Sequence, residues 1–182
     1  MAISTINQNG LNAPLSLTAP NLGTPSAINL TNATALPSAA LPTGSVLQVV
    51  NATYATQASS SSSTFADTGL TATITPKFST SKILVLINQS GLYKSAANTA
   101  NAIDLRLVRG STSLITFISN ALVTGTTITN NVASGSTCYL DSPATTSATT
   151  YKTQFASTGN SATVYVQQNG DTSTITLLEI AG

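Results

Sequence analysis

Apolar and polar residues alternate in short runs from residue 45 onward, and this alternation limits the possible folds of the 182-residue chain more than any other feature. Leu70, Ala72 and Ile74, for example, alternate with threonines. A period of two with many β-branched residues is typical of strands that are buried on one face. The pattern predicts a domain built from sheets with almost no helix.

The same alternation predicts ten strands with turn signals at intervals of about 8 to 12 residues. Arg109-Gly-Ser-Thr and Thr158-Gly-Asn-Ser are expected to be tight turns, and Asn169-Gly suits a type I′ hairpin. Together these features indicate an all-β fold, an antiparallel β-sandwich or jelly roll. The predicted strands are 45–54, 70–75, 82–88, 102–109, 113–119, 121–129, 136–140, 149–156, 162–168 and 173–180. The serine-rich stretch 55–64 is expected to be an exposed loop.

Residues 1–44 have a different character, because five of the seven prolines lie there and no charged residue precedes Asp67. Proline disrupts helices and favours extended geometry in the residue before it. The segment is therefore predicted to be extended, and its aliphatic side chains must pack against something else. We expect an attachment and trimerisation segment at 1–44 and a projecting β domain at 45–182. The expected seam residues are Leu11, Leu15, Leu17, Leu22, Ile28, Leu30, Leu36 and Leu41.

The charged residues disfavour most catalytic and nucleic-acid functions. Six are basic, five are acidic, and histidine is absent, so serine and cysteine nucleophiles lack their usual base. The acids lie at least 8 residues apart in sequence, and the basic residues do not cluster as phosphate binding requires. Most of the polar surface must instead come from 24 serines and 32 threonines. We expect no enzyme, no cofactor and no nucleic-acid partner.

Cys138 is the single cysteine, so the chain forms no internal disulfide and has too few ligands for a zinc site. It occupies a strand position and is expected to be a small buried apolar residue. The longest aliphatic run, Ile83–Ile87, is far shorter than the roughly 20 residues of a membrane helix. The first residues also lack the pattern of a secretory signal. We expect no membrane insertion and assembly in a cytoplasm.

Two parts of the sequence resemble a known group of proteins. The segment NLGTPSAINLTNATALP (21–37), followed by LPTGSVLQVV, and the ending STITLLEIAG (173–182) resemble segments of fibre, tail-fibre and other virion structural proteins of tailed bacteriophages. The resemblance implies a homotrimer on the virion surface, in contact with other virion proteins of the capsid or tail. It implies no catalytic residue.

Three functions follow from this interpretation. The first is a capsid decoration or head-fibre protein attached by its N-terminal segment. The second is a tail fibre or receptor-binding protein, in which tyrosines could stack on host-surface glycans, although tyrosines at strand positions are more often core or sheet-face residues. The third and most remote is a depolymerase, which would need two convergent carboxylates. The available tyrosines are Tyr54, Tyr93, Tyr139, Tyr151 and Tyr165.

Overall fold

The chain divides into two units, residues 1–36 and residues 37–182. The computed structural model describes residues of the second unit only, namely 38–95, 101–122, 132–159 and 162–182. Within these ranges the chain forms ten strands and two short 3-10 turns, Ser38–Ala40 and Gln168–Gly170. The strands are β1 (Val46–Tyr54), β2 (Ala58–Ser60), β3 (Ala66–Ile74), β4 (Lys82–Lys94), β5 (Ala102–Arg109), β6 (Thr112–Ala121), β7 (Ala133–Asp141), β8 (Thr149–Thr158), β9 (Val164–Val166) and β10 (Ser173–Ile180).

Four antiparallel pairs are nested along the sequence, each lying between the two strands of the pair before it. The pairs are β1 with β10, β3 with β8, β4 with β7, and β5 with β6. Two sheets result: a six-stranded sheet whose main part is β1-β10-β4-β7 (sheet one), and the four-stranded sheet β3-β8-β5-β6 (sheet two). The short strand β9 pairs with β2 and with the last two residues of β4. Two sheets of nested antiparallel strands form a jelly roll. The predicted all-β sandwich is confirmed.

Side chains that point between the sheets form two apolar clusters. The larger contains Tyr151 and Leu177, and the smaller contains Phe155 and Leu105. On β8, Thr153 lies between the two aromatic residues and donates a hydrogen bond to Gln89 Oε1 (2.8 Å). Because buried polar groups need partners, Thr153 and Gln89 form a satisfied polar link between the clusters.

Several sequence predictions need correction. The loop expected at 55–64 contains β2, and β4 extends to Lys94 rather than ending at residue 88. Asn169 and Gly170 have the positive φ values of a type I′ turn (59° and 79°), but the adjoining strands β9 and β10 do not pair, so the turn is not a hairpin. The strand predicted at 121–129 and the turn after Thr158 lie largely outside the described residues.

The expectation that Cys138 is buried is wrong for the single chain. This residue lies on β7 with its side chain on the outward face of sheet one, where it is exposed. The alternation around it correctly predicts a strand. The register, however, puts Tyr139 toward the core and Cys138 toward the outside.

Candidate assembly surfaces

The predicted seam can be located only at its last residue. Leu41 is half-buried and lines a recess of about 190 Å³ together with Phe78 and Gly182. The seam therefore stays a prediction for the remaining positions. Seven of its residues lie outside the described part of the chain: Leu11, Leu15, Leu17, Leu22, Ile28, Leu30 and Leu36.

Residues 38–44, the last part of the predicted attachment segment, are hydrogen-bonded to the end of β10. The Gly44 N–H donates to the Ala181 carbonyl (2.8 Å), and the Ala181 N–H donates to the Ser45 carbonyl (2.8 Å). Lys77 Nζ, in the loop between β3 and β4, donates to Ser38 Oγ (3.1 Å). The chain thus enters the jelly roll beside its own C-terminus and is tied to it by backbone and side-chain contacts.

A buried carboxylate fixes this entry point. Glu179 is fully buried and accepts hydrogen bonds from Gln48 Nε2 (2.5 Å) and from the backbone N–H groups of Lys77 (2.7 Å) and Phe78 (3.4 Å). Burial raises the pKa of Glu179, but hydrogen bonding to the side chains of Ser81 and Gln48 and to the two backbone N–H groups outweighs burial and holds this pKa below its usual value. The ionised carboxylate therefore holds the β3–β4 loop, and with it Lys77, against the jelly roll.

A second polar cluster lies at the same end of the sandwich. Arg109 Nη1 donates to both oxygens of Asp141 (2.8 and 2.6 Å), and the Tyr151 hydroxyl donates to Asp141 Oδ2 (2.6 Å). Burial first, and then the hydrogen bond to Asp141, raises the pKa of Tyr151 far above its usual value. Arg109 also lines a recess of about 310 Å³ with Thr145, Thr149 and other residues. The recess thus combines the Arg109 guanidinium, which Asp141 holds in place, with threonine hydroxyl groups.

The structure does not assemble the acids into a reactive pair. Asp141 and Glu179 both pair with Ile83 of β4, so they lie in one row on the inner face of sheet one. Each carboxylate is occupied by its own donors, however, and a residue on an intervening strand separates them. Within the described residues, no three His, Cys, Asp or Glu side chains group as a metal site requires.

The five tyrosines are all described, and none of them is strongly exposed. Tyr151 is fully buried, and Tyr54 and Tyr139 pack against the larger apolar cluster. Tyr93 and Tyr165 form a tilted ring pair with centroids 5.6 Å apart. These positions agree with the interpretation of the tyrosines as core and sheet-face residues. The part of the chain that the structure describes also has no helix long and apolar enough to span a membrane.

The sequence matches no protein-family model and no curated protein. Three solved viral structures align with part of this chain. The VP2 subviral particle of infectious bursal disease virus aligns over 76% of this chain with 15% identity and a TM-score of 0.46. The structure of the Gx strain of that virus aligns over 76% of this chain (11% identity, TM-score 0.44). The structure of T=1 particles derived from infectious bursal virus aligns over 75% of this chain (12% identity, TM-score 0.39). This chain spans 34% to 37% of the length of those chains, and the jelly-roll assignment rests on the strand order itself.

Proposed function

We propose that the chain is a virion structural protein, a homotrimeric capsid decoration or head-fibre protein attached to the particle by residues 1–44. The observation that carries the proposal is the distribution of charge. All eleven charged residues lie at or after Asp67, whereas the preceding segment combines aliphatic residues with prolines. An uncharged aliphatic segment is suited to burial against other proteins, and the jelly roll that follows it is suited to projection into solvent.

The trimer would give the aliphatic side chains of the segment a partner that a single chain lacks. Three copies around one axis can bury them together, and closed symmetry stops further growth. The prolines make the segment a poor template for strand pairing with unrelated chains. The proposed seam is Leu11, Leu15, Leu17, Leu22, Ile28, Leu30, Leu36 and Leu41.

A position on the capsid fits the short attachment segment better than a position on a long tail fibre. The part between Leu11 and Gly44, fully extended at about 3.3 Å per residue, spans roughly 110 Å at most. The number of copies per particle tests this position. Quantitative mass spectrometry of purified virions should give on the order of hundreds of copies, as capsid symmetry requires. About a dozen copies per particle would indicate a position on the tail instead, and absence of the protein from the particle would refute the proposal.

The N-terminal attachment has its own test. A chain that lacks residues 2–36 keeps the whole second unit, including Ser38 and its bond to Lys77. It should remain folded by circular dichroism and fail to join particles that lack the wild-type protein. Full occupancy of the particles by the shortened chain would show that the β domain attaches by itself.

A receptor-binding role is the second candidate, and the recess beside Arg109 is the observation that favours it. Threonine hydroxyls and a guanidinium are groups that bind the hydroxyls of a neutral glycan. The test is binding of the purified protein to a panel of host-surface glycans, with Thr149→Ala as the variant, because it changes the recess and leaves the Arg109–Asp141 ion pair in place. Binding that the substitution abolishes supports this role, and a panel without any binding removes it.

A further inference from the structure

The outward face of sheet one is unusually apolar. Its strand register places the outward side chains in rows that cross the sheet. The first row is Val46, Ile180 and Lys82; the second is Val49, Leu178, Leu84 and Leu140; the third is Asn51, Thr176, Leu86 and Cys138. We call these three rows the apolar face. Seven of the eleven side chains are aliphatic, and the complete second row consists of leucine and valine.

The side chains of the apolar face are exposed or half-buried in the single chain. Five large apolar residues of the described part are strongly exposed, and four of them lie on the apolar face: Val46 (49%), Val49 (58%), Leu86 (40%) and Leu140 (51%). Strands spaced about 4.8 Å apart with a rise of about 3.3 Å per residue give the three rows a footprint of roughly 20 by 20 Å. A patch of about 400 Å² on one face is of the size that marks interaction sites.

The outward face of sheet two, by contrast, carries charged and polar side chains that suit contact with water. Lys152 Nζ donates to Asp67 (2.8 Å), and Gln154 Nε2 donates to the other oxygen of the same carboxylate (2.6 Å). The Arg106 guanidinium lies 4.1 Å from the centre of the Phe65 ring. The outward residues of sheet one, by contrast, include one charge, Lys82, at the corner of the first row. The two faces of the same sandwich are therefore built for different surroundings.

We propose that the apolar face is the surface through which copies of this chain associate. The inference rests on the self-association in the proposed function and names the part of the β domain that carries it. The same face on a neighbouring copy brings an apolar surface of equal size, and the one charge of each face, Lys82, lies at the corner of the first row, at the rim of the contact. Each copy in a closed assembly presents the same patch to its neighbours.

The size of the face agrees with this occupant. A stable pair of proteins buries about 800 Å² on each partner, typically as an apolar core with a polar rim. The apolar face supplies about half of that area as the core. The next row of the sheet supplies a rim of neutral hydrogen-bonding groups: Thr53, Thr174, Asn88 and Ser136. In a closed trimer each apolar face turns toward the threefold axis and contacts the apolar faces of both neighbouring copies.

The single cysteine is a natural reporter of this contact. Cys138 lies in the third row beside Leu86 and is exposed in the single chain. Association through the apolar face covers its thiol, whereas association through any other surface leaves it open. Its rate of reaction with a small maleimide therefore distinguishes the two.

The experiment compares the full-length wild type with Leu140→Glu and Val49→Glu, which add one carboxylate at opposite edges of the apolar face. The matched control is Thr116→Glu, an exposed position on edge strand β6 of sheet two, opposite Arg106. Light scattering after size exclusion gives the mass, and maleimide labelling gives the accessibility of Cys138. We expect the wild type and the control at about three times 18.4 kDa with slow labelling. The two apolar-face variants keep the N-terminal seam, so they should dissociate at higher protein concentrations than the wild type and label at least about tenfold faster, because a buried unpaired carboxylate is costly.

Dilution of the wild type provides a check that needs no variant: labelling should accelerate as the oligomer dissociates. A wild-type oligomer that labels as fast as free cysteine, or apolar-face variants that dissociate and label like the wild type, would overturn this inference but not the homotrimer. A wild type that is monomeric at all concentrations would overturn both. A monomer with a protected thiol would show that the face is covered within the chain, which also overturns the inference.

Discussion

Glu179→Gln tests whether one buried carboxylate fixes the end of the jelly roll where the N-terminal segment enters. The substitution keeps the shape of the side chain and removes its charge. It also replaces one acceptor oxygen with an NH₂ group that must face Gln48 Nε2 or the backbone N–H of Lys77, both of which are donors in the wild type. A donor then faces a donor in a fully buried position.

The expected loss of stability follows from these hydrogen bonds. A hydrogen bond to a charged group contributes about 1.5–3 kcal/mol, and a buried donor without an acceptor costs about 1–3 kcal/mol. Because at least one of these hydrogen bonds is removed and the remaining ones no longer have a charged acceptor, we expect the free energy of unfolding to fall by about 3 kcal/mol. At roughly 2–4 °C per kcal/mol for a domain of this size, Tm should fall by about 6–12 °C at neutral pH.

The pH dependence gives the sharper result. The pKa of Glu179 is lower in the folded state than in the unfolded chain, so its ionisation stabilises the fold above the unfolded value of about 4.3. That contribution disappears as the pH falls through the folded-state pKa. Because glutamine does not titrate, the difference in Tm between wild type and variant should shrink as the pH is lowered from about 7 to about 3.

Thermal melts followed by circular dichroism measure both effects, at one protein concentration because association also shifts Tm. Asp171→Asn is the matched control, since it makes the same chemical change at an exposed position and should shift Tm by less than about 2 °C. A Glu179→Gln variant that melts with the wild type at neutral pH, or a difference that is constant across this pH range, would refute the reasoning.

Other contacts give further predictions. Asp141→Ala removes the acceptor of Arg109 and Tyr151 and should lower the free energy of unfolding by about 2–4 kcal/mol, measured by urea denaturation. In an alkaline titration followed by tyrosine absorbance, Tyr151 should stay protonated well above pH 10 until the protein unfolds, and Tyr151→Phe should remove this late step. Thr153→Val removes the donor to Gln89 inside the core and should cost about 1–3 kcal/mol in the same urea assay, although it preserves the volume of the side chain.

The sequence predicts strands well where alternation is uninterrupted. The bounds of β10 agree with the prediction because its buried and half-buried residues alternate without exception. The end of β4 does not follow from the pattern, because Gln89 is polar and points inward. Its amide is satisfied by Ser173 and Thr153, so the strand continues past a residue that usually ends one. Strand β2 has no apolar pattern at all, and its pairing with β9 is a contact between residues distant in sequence.

The candidate surfaces have partial signals in the sequence. Glu179 follows Ile175 and Leu177 at every second position of the same strand, so all three side chains are on one face. The alternation itself therefore places the Glu179 carboxylate inside. The run Ile83–Ile87 is apolar at every position, which is typical of a strand covered on both faces. The charges on the other side of the sandwich cannot be assigned to a face from the sequence, because that requires knowing which strands pair.

The most direct test of the central claim is to locate the protein on the particle. The proposed function places this chain on virions, which can be labelled with an antibody fragment raised against the β domain and imaged by electron cryomicroscopy. For a trimeric head fibre we expect additional density at symmetry-related positions over the capsid surface, with three fragments around each projecting trimer. Capsids without label, in preparations where the same fragment binds the purified protein, would contradict it.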